Sequence, residues 1–220
     1  MDGTATDQLS MTAAELSFLL ASGDRQGQTP RLLGLGDADR TDAVLSAGLG
    51  SLLLRHLAAP VDGSRLEMAP AVAAVAAGLH RPRGFVQLGL TADDHADGAL
   101  LIAAEQIRML VAARAYRCYD VTPLAPEADA RDALLAVADK FLHRHRPAIA
   151  TFAATSAADF ERGVQPGRAT LSSAADGTWR VVTRDGAETT AEDFDAAATV
   201  LREELARMMP APSAAQPAQS

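Results

Sequence analysis

The sequence predicts an α+β fold: an antiparallel sheet flanked by alanine-rich helices, with a helical N-terminal part. Three observations predict it. Between Gly84 and Leu124 the apolar runs Gly84–Leu90, Ala99–Ala104 and Met109–Val121 follow one another, separated only by Thr91–Gly98 and Glu105–Arg108. Strands joined by such short polar breaks pair antiparallel, because parallel neighbours need a crossover of a dozen or more residues. Later, Arg168–Ser172 and Trp179–Thr183 flank an Asp176-Gly177 pair, a strong hairpin signal. The flanking segments carry apolar residues at helical spacing.

The elements follow in order. Residues 1–10 are polar and expected to fray. Thr12 with Glu15 three residues on is a capping-box pattern, opening a helix with Leu16, Leu19 and Leu20 on one face. Gly23–Thr29 reads as a loop and Pro30–Leu35 as a short hydrophobic connection. A helix is expected from Ala38 to Ala58 on Val44, Leu45, Leu49, Leu52 and Leu53. Gly48 and Gly50 inside it mark a kink or a close approach of two helices. Pro60–Ser64 is a turn, and Pro70–Leu79 a short, nearly all-apolar helix.

After the three strands, Ala128–His143 is amphipathic, with Leu134, Leu135, Val137, Ala138, Phe141 and Leu142 inward. Ala148–Ala153 is a candidate strand. Asp185-Gly186 marks a further turn, and Thr190–Asp193 a cap for a last helix ending near Met209, with Phe194, Ala198, Leu201 and Leu205 inward. Trp179 shares a strand face with Val181, so it should be buried between the sheet and that helix. Both strand groups should join one sheet, since neither has enough helix of its own to bury a sheet face. The domain is expected over 11–209, with a disordered tail at 210–220 that is rich in Pro, Ala, Gln and Ser.

Composition narrows function. The net charge of −8 disfavours nucleic acid as a partner, because neutralising phosphates takes a basic surface. Cys118 is the sole cysteine, which excludes an intramolecular disulfide and a paired-cysteine zinc site. Its apolar strand reads as a buried core thiol. No apolar run reaches the about 18 residues of a membrane span, and the N-terminus lacks a secretory pattern, so a cytoplasmic protein is expected.

The search for chemistry assigns no catalytic residue, no cofactor and no metal. Asp93, Asp94, His95 and Asp97 crowd the break between the first two strands, where four polar residues read as a solvated loop before a divalent-ion site. His143 and His145, interleaved with Arg144 and Arg146, read as a solvated helix end. With Arg81 and Arg83 those arginines form the only local concentration of basic residues. Gly34-Leu35-Gly36 and Gly48-Leu49-Gly50 lack the third glycine and preceding strand of a dinucleotide fingerprint.

The order of elements resembles that of the EspG family, cytosolic specificity chaperones of type VII (ESX) secretion. The segments that carry the resemblance are Thr12–Leu20, then Pro30–Leu33, then a long helix ending in Ser51–Leu57. The strand series Phe85–Leu90, Ala99–Ala104 and Met109–Tyr119 follows, and the pattern Gly167–Leu171 … Asp176–Val182 precedes the last helix. The resemblance implies a non-catalytic module that binds a secreted helical-hairpin protein and shields its apolar tip. It implies partner contacts in the loop between neighbouring strands, here Thr91–Gly98, with Thr91, Asp93, Asp94, His95 and Asp97 as the contact residues. Two other readings stand beside it. In one, the N-terminal helices and Ser64–Met68 form a winged-helix regulator. In the other, a small-molecule enzyme places a pocket between sheet and helices.

Overall fold

The computed structural model describes residues 8–23, 29–63, 65–105 and 107–209. The expectations of disorder at the start of the chain and beyond 209 therefore fall largely outside the described residues. The chain forms β1 (Leu9–Thr12), α1 (Ala13–Ala21), α2 (Thr29–Leu32), a 3-10 turn (Asp37–Arg40) and α3 (Asp42–Leu54). Next come β2 (Ala58–Asp62), β3 (Arg65–Met68), α4 (Pro70–His80), β4 (Gly84–Ala92), β5 (Ala96–Ala103), β6 (Arg108–Arg114) and β7 (Cys118–Leu124). The remainder is α5 (Ala130–Arg144), β8 (Ala148–Ser156), α6 (Ala157–Glu161), β9 (Gly167–Ser173), β10 (Trp179–Val182), β11 (Glu188–Ala191) and α7 (Phe194–Met208).

Nine strands make one antiparallel sheet in the order β1-β7-β6-β5-β4-β8-β9-β10-β11; β2 and β3 form a separate hairpin. Both predicted strand groups thus share a sheet, joined where β4 pairs β8 from Gly84↔Ser156 to Ala92↔Ala148. The third predicted strand is two. It folds back at Ala115–Arg117, where Tyr116 and Arg117 both sit at φ 59. Neither is glycine, so no turn residue announced the reversal. Leu9 and Ser10, read as frayed, pair with Val121 and Asp120. Cys118 is half-buried, because alternation along β7 gives the covered face to Tyr119 and Val121.

Alternation also divides the core in two. On β4, Val86, Leu88 and Leu90 point to one face, where α5 and α7 cover them together with Phe152, Leu171, Trp179 and Val181. Phe85 points to the other, into a core built by α1, α3 and α4 on Ile102, Met109, Val111, Tyr119 and Val121. The helices therefore lie on opposite faces of opposite halves of the sheet.

Close packing explains Gly48. A Cβ there would stand 2.1 Å from the Ala14 carbonyl oxygen, so α1 and α3 touch backbone to backbone; Gly50 has nothing within 4 Å. The capping box also does more than start a helix. Glu15 Oε2 accepts the Thr12 N–H at 2.7 Å, and Oε1 accepts from the Ser51 hydroxyl at 2.7 Å and Arg55 Nη1 at 2.8 Å. Arg55 Nη2 donates in turn to the Ser10 carbonyl at 2.9 Å. One carboxylate thereby ties β1, α1 and the end of α3 together. Burial pushes the Glu15 carboxyl up, but the Thr12 N–H, Ser51 and Arg55 together outweigh it and hold the group below its ordinary value.

Two predictions follow from this packing. Gly48→Ala should destabilise by about 1–3 kcal/mol, the cost of overpacking. Gly50→Ala, in the same helix with open space, should stabilise by about 0.5–1 kcal/mol. Urea denaturation of the two variants checks the opposite signs. Because the Glu15 carboxyl is depressed in the folded state, its contribution is complete above its ordinary value of 4.5 and is lost as pH falls through the folded value. Glu15→Gln should destabilise the protein at pH 7 and flatten the acid limb of its stability profile. Arg55 remains 40 % exposed, so the loss should stay below the about 3–5 kcal/mol of a fully buried pair.

Candidate partner-binding surface

The β4–β5 connection is tighter than the sequence suggests. Thr91 still belongs to β4, opposite Ala96, and Asp97 already belongs to β5, opposite Leu90. Only residues 93–95 turn, closed by the Ala92 N–H donating to the His95 carbonyl at 2.8 Å. Thr91, Asp93, Asp94, His95 and Asp97 are all exposed at this tip. The His95 ring bonds to Asp94 through Nδ1, which holds the Asp94 carboxyl below its ordinary value; charge on His145 adds a smaller pull. Asp97 accepts its neighbour's Gly98 N–H at 2.7 Å and faces Arg114 at 3.8 Å. Among the described residues, no three metal-capable side chains converge.

The tip is braced from below. The His95 and His145 rings stack at 4.4 Å, and His145 meets Phe141 at 4.7 Å. On the same helix end His143 lies 5.1 Å from Trp179 and 5.7 Å from Phe194, and Arg146 covers the Trp179 ring at 4.8 Å. The end of α5 is thus a ladder of rings more than a merely solvated terminus. Sequence reading missed it because its members come from the β4–β5 turn, α5, β10 and α7. The proposed basic cluster separates: Arg81 and Arg83 precede the start of β4, whereas Arg144 and Arg146 precede Ala148, which pairs with its other end.

Beside the tip, the face of β8–β10 opposite α5 and α7 carries no helix among the described residues except α6, whose Phe160 packs on Phe85 at the far end of β4. Directly opposed residues share a face, which places Gln87, Gly89, Thr151, Ala153 and Arg168 together on it. They floor a shallow depression of about 660 Å³, walled on one side by Leu32, Leu33 and Tyr119. Tyr119 is fixed there by its hydroxyl donating to the buried Leu33 carbonyl at 2.8 Å. Gly89 and Ala153 are its small residues, and Ile149, on the same face of β8 as Thr151, stands 48 % exposed. The surface combines a floor of small and polar residues with an acidic and imidazole rim.

The fold and surface therefore define an α+β domain with one uncovered sheet face beside a braced polar hairpin tip. Compared with solved structures, the chain is similar to the type VII secretion system chaperone EspG5 of Mycobacterium tuberculosis, in a structure of that chaperone in complex with a PE25–PPE41 dimer. The TM-score is 0.62 at 10% sequence identity, over 93% of this chain and 98% of the other. At that identity the likeness is one of fold. No protein-family model and no curated protein matches the sequence. Among the described residues no helix is long and apolar enough to cross a membrane.

The two faces of this half of the sheet should respond differently to truncation. Ile149→Thr, on the open face, should change stability by no more than about 0.5 kcal/mol. Trp179→Ala, on the covered face, should cost about 3–5 kcal/mol. Equal shifts in denaturation midpoint would contradict the assignment of faces.

Proposed function

We propose that this chain is a non-catalytic, cytoplasmic protein-binding module. It serves as a specificity chaperone or adaptor for a secreted helical protein of type VII secretion. The observation that carries the reading is the fold-level likeness to EspG5, which spans nearly the whole of both chains. The uncovered face supports it. An apolar helical tip would settle on the Gly89–Thr151–Ala153 floor, while Asp93, Asp94 and Asp97 meet basic or polar groups at the rim, with Thr91 and His95 beside them. The winged-helix reading is disfavoured by α3, whose residues Asp42–Leu54 include no lysine or arginine, and by the detachment of β2–β3 from the main sheet.

The test is co-expression with proteins encoded nearby, followed by pull-down and kinetics on the recovered pair. Rim charges act mainly on encounter. Replacing Asp93, Asp94 and Asp97 together by Asn should slow association more than it speeds dissociation, with the larger effect at low salt. Recovery of operator DNA alone, or turnover of a small substrate, would reject the reading in favour of a regulator or an enzyme.

A further inference from the structure

A second cavity, on the far side of the N-terminal half, is built unlike the open sheet face. It holds about 880 Å³ between α1, α4, α6 and the start of β4. Its walls include Leu20, Leu35, Leu45, Leu79, Phe85 and Phe160. The Phe85 and Phe160 rings pack at 5.8 Å. The volume falls in the about 300–1,000 Å³ range of small-molecule sites. One wall is locked in place: His80 Nε2 donates to the Leu19 carbonyl at 2.5 Å, and its ring lies so close to Gly23 that a Cβ there would stand 2.5 Å from it.

Two polar features set this cavity apart from a packing defect. Ser17 is buried in its lining, and its hydroxyl has no hydrogen-bond partner. Buried hydroxyls are nearly always paired, so this one leaves the α1 wall of the cavity unsatisfied. At the mouth stand Arg40, Arg81 and Arg83, with Glu161 the one acidic residue of the lining among the described residues. Arg83 is held by Glu105 at 2.9 Å, whereas Arg40 and Arg81 are exposed and have no acidic partner among the described residues. On a chain with net charge −8, this is a local reversal of sign over an apolar pocket.

We propose that this cavity binds an amphipathic anion: a single acyl or alkyl chain along the leucine and phenylalanine walls, with a carboxylate or phosphate group on Arg40 and Arg81. The site lies apart from the sheet face and its hairpin tip, and the proposal stands whether or not that face binds a protein.

Isothermal titration of the full chain with dodecanoate and dodecyl phosphate, each below its micelle concentration, and with dodecanol below its solubility limit, tests this. Saturable one-to-one uptake is expected, with at least one anion about tenfold tighter than the alcohol, the yield of one charge-assisted hydrogen bond. The R40Q/R81Q double variant, changed only at exposed positions, should lose that advantage while keeping the affinity for dodecanol. Raised salt should weaken the anion and spare the alcohol in the unaltered protein, which tests the charge term without any variant. Uptake of dodecanoate alone would identify a carboxylate ligand, and uptake of dodecyl phosphate alone a phosphate monoester; either supports the site. Absence of saturable binding, alcohol as tight as both anions, or anion affinity unchanged in the double variant would overturn it.

Discussion

Everything in this molecule depends on β4 being hydrogen-bonded along both edges and dividing its apolar side chains between two cores. Phe85 belongs to one core and Val86, Leu88 and Leu90 to the other. Its edges are taken by β5 and β8. Phe85 and Val86 point opposite ways at its start, so each core must bring its own helices to its own face, while Gln87, Gly89 and Thr91 farther along stay exposed. The N-terminal helices satisfy one and α5 with α7 the other. Because each layer covers only its own half, the sheet keeps a bare face beside the central strand, and the hairpin leaving the end of β4 rises next to it. The exposed surface is a consequence of how the buried one is shared.

The same arrangement places packed rings under the tip. A three-residue turn rich in aspartate would carry little order alone. Here His95 leans on His145, which leans on Phe141 of a helix whose next turn is fixed by Trp179. The ring ladder connects an exposed rim to the core through contacts with no counterpart in local sequence. In the proposed role such a rim would be organised before a partner arrives, which lowers the ordering cost of association.

How much of this the sequence disclosed follows from where each signal is local. The capping box at Thr12, the Asp176-Gly177 turn, the buried face of α5 and the alternation that buries Trp179 are read within a few residues, and the structure keeps all of them. What was hidden depends on distant partners. Leu9–Thr12 becomes a strand only because β7 offers an edge to it. The reversal at Tyr116 uses left-handed residues that are not glycine. Glu15 was legible as a cap but not as the acceptor for Arg55, which lies a whole helix away. Arg81, Arg83, Arg144 and Arg146 looked like one patch because sequence spacing does not say which end of a strand a residue reaches. The candidate contact residues were legible as a polar break, while the open floor beside them, drawn from β4, β8 and β9, was not.

The two ends of the sheet are both four-residue strands, β1 and β11. The last presents Glu188, Thr189 and Thr190 to solvent, with Glu188 held by Arg180 at 2.8 Å. Long, flat, apolar edges invite further strands to add; short and charged ones stop that growth. A nine-stranded sheet with so much bare face would otherwise be a template for its own polymerisation. Its short termini instead leave the broad face as the larger exposed surface and give the backbone little edge to pair with an extended chain.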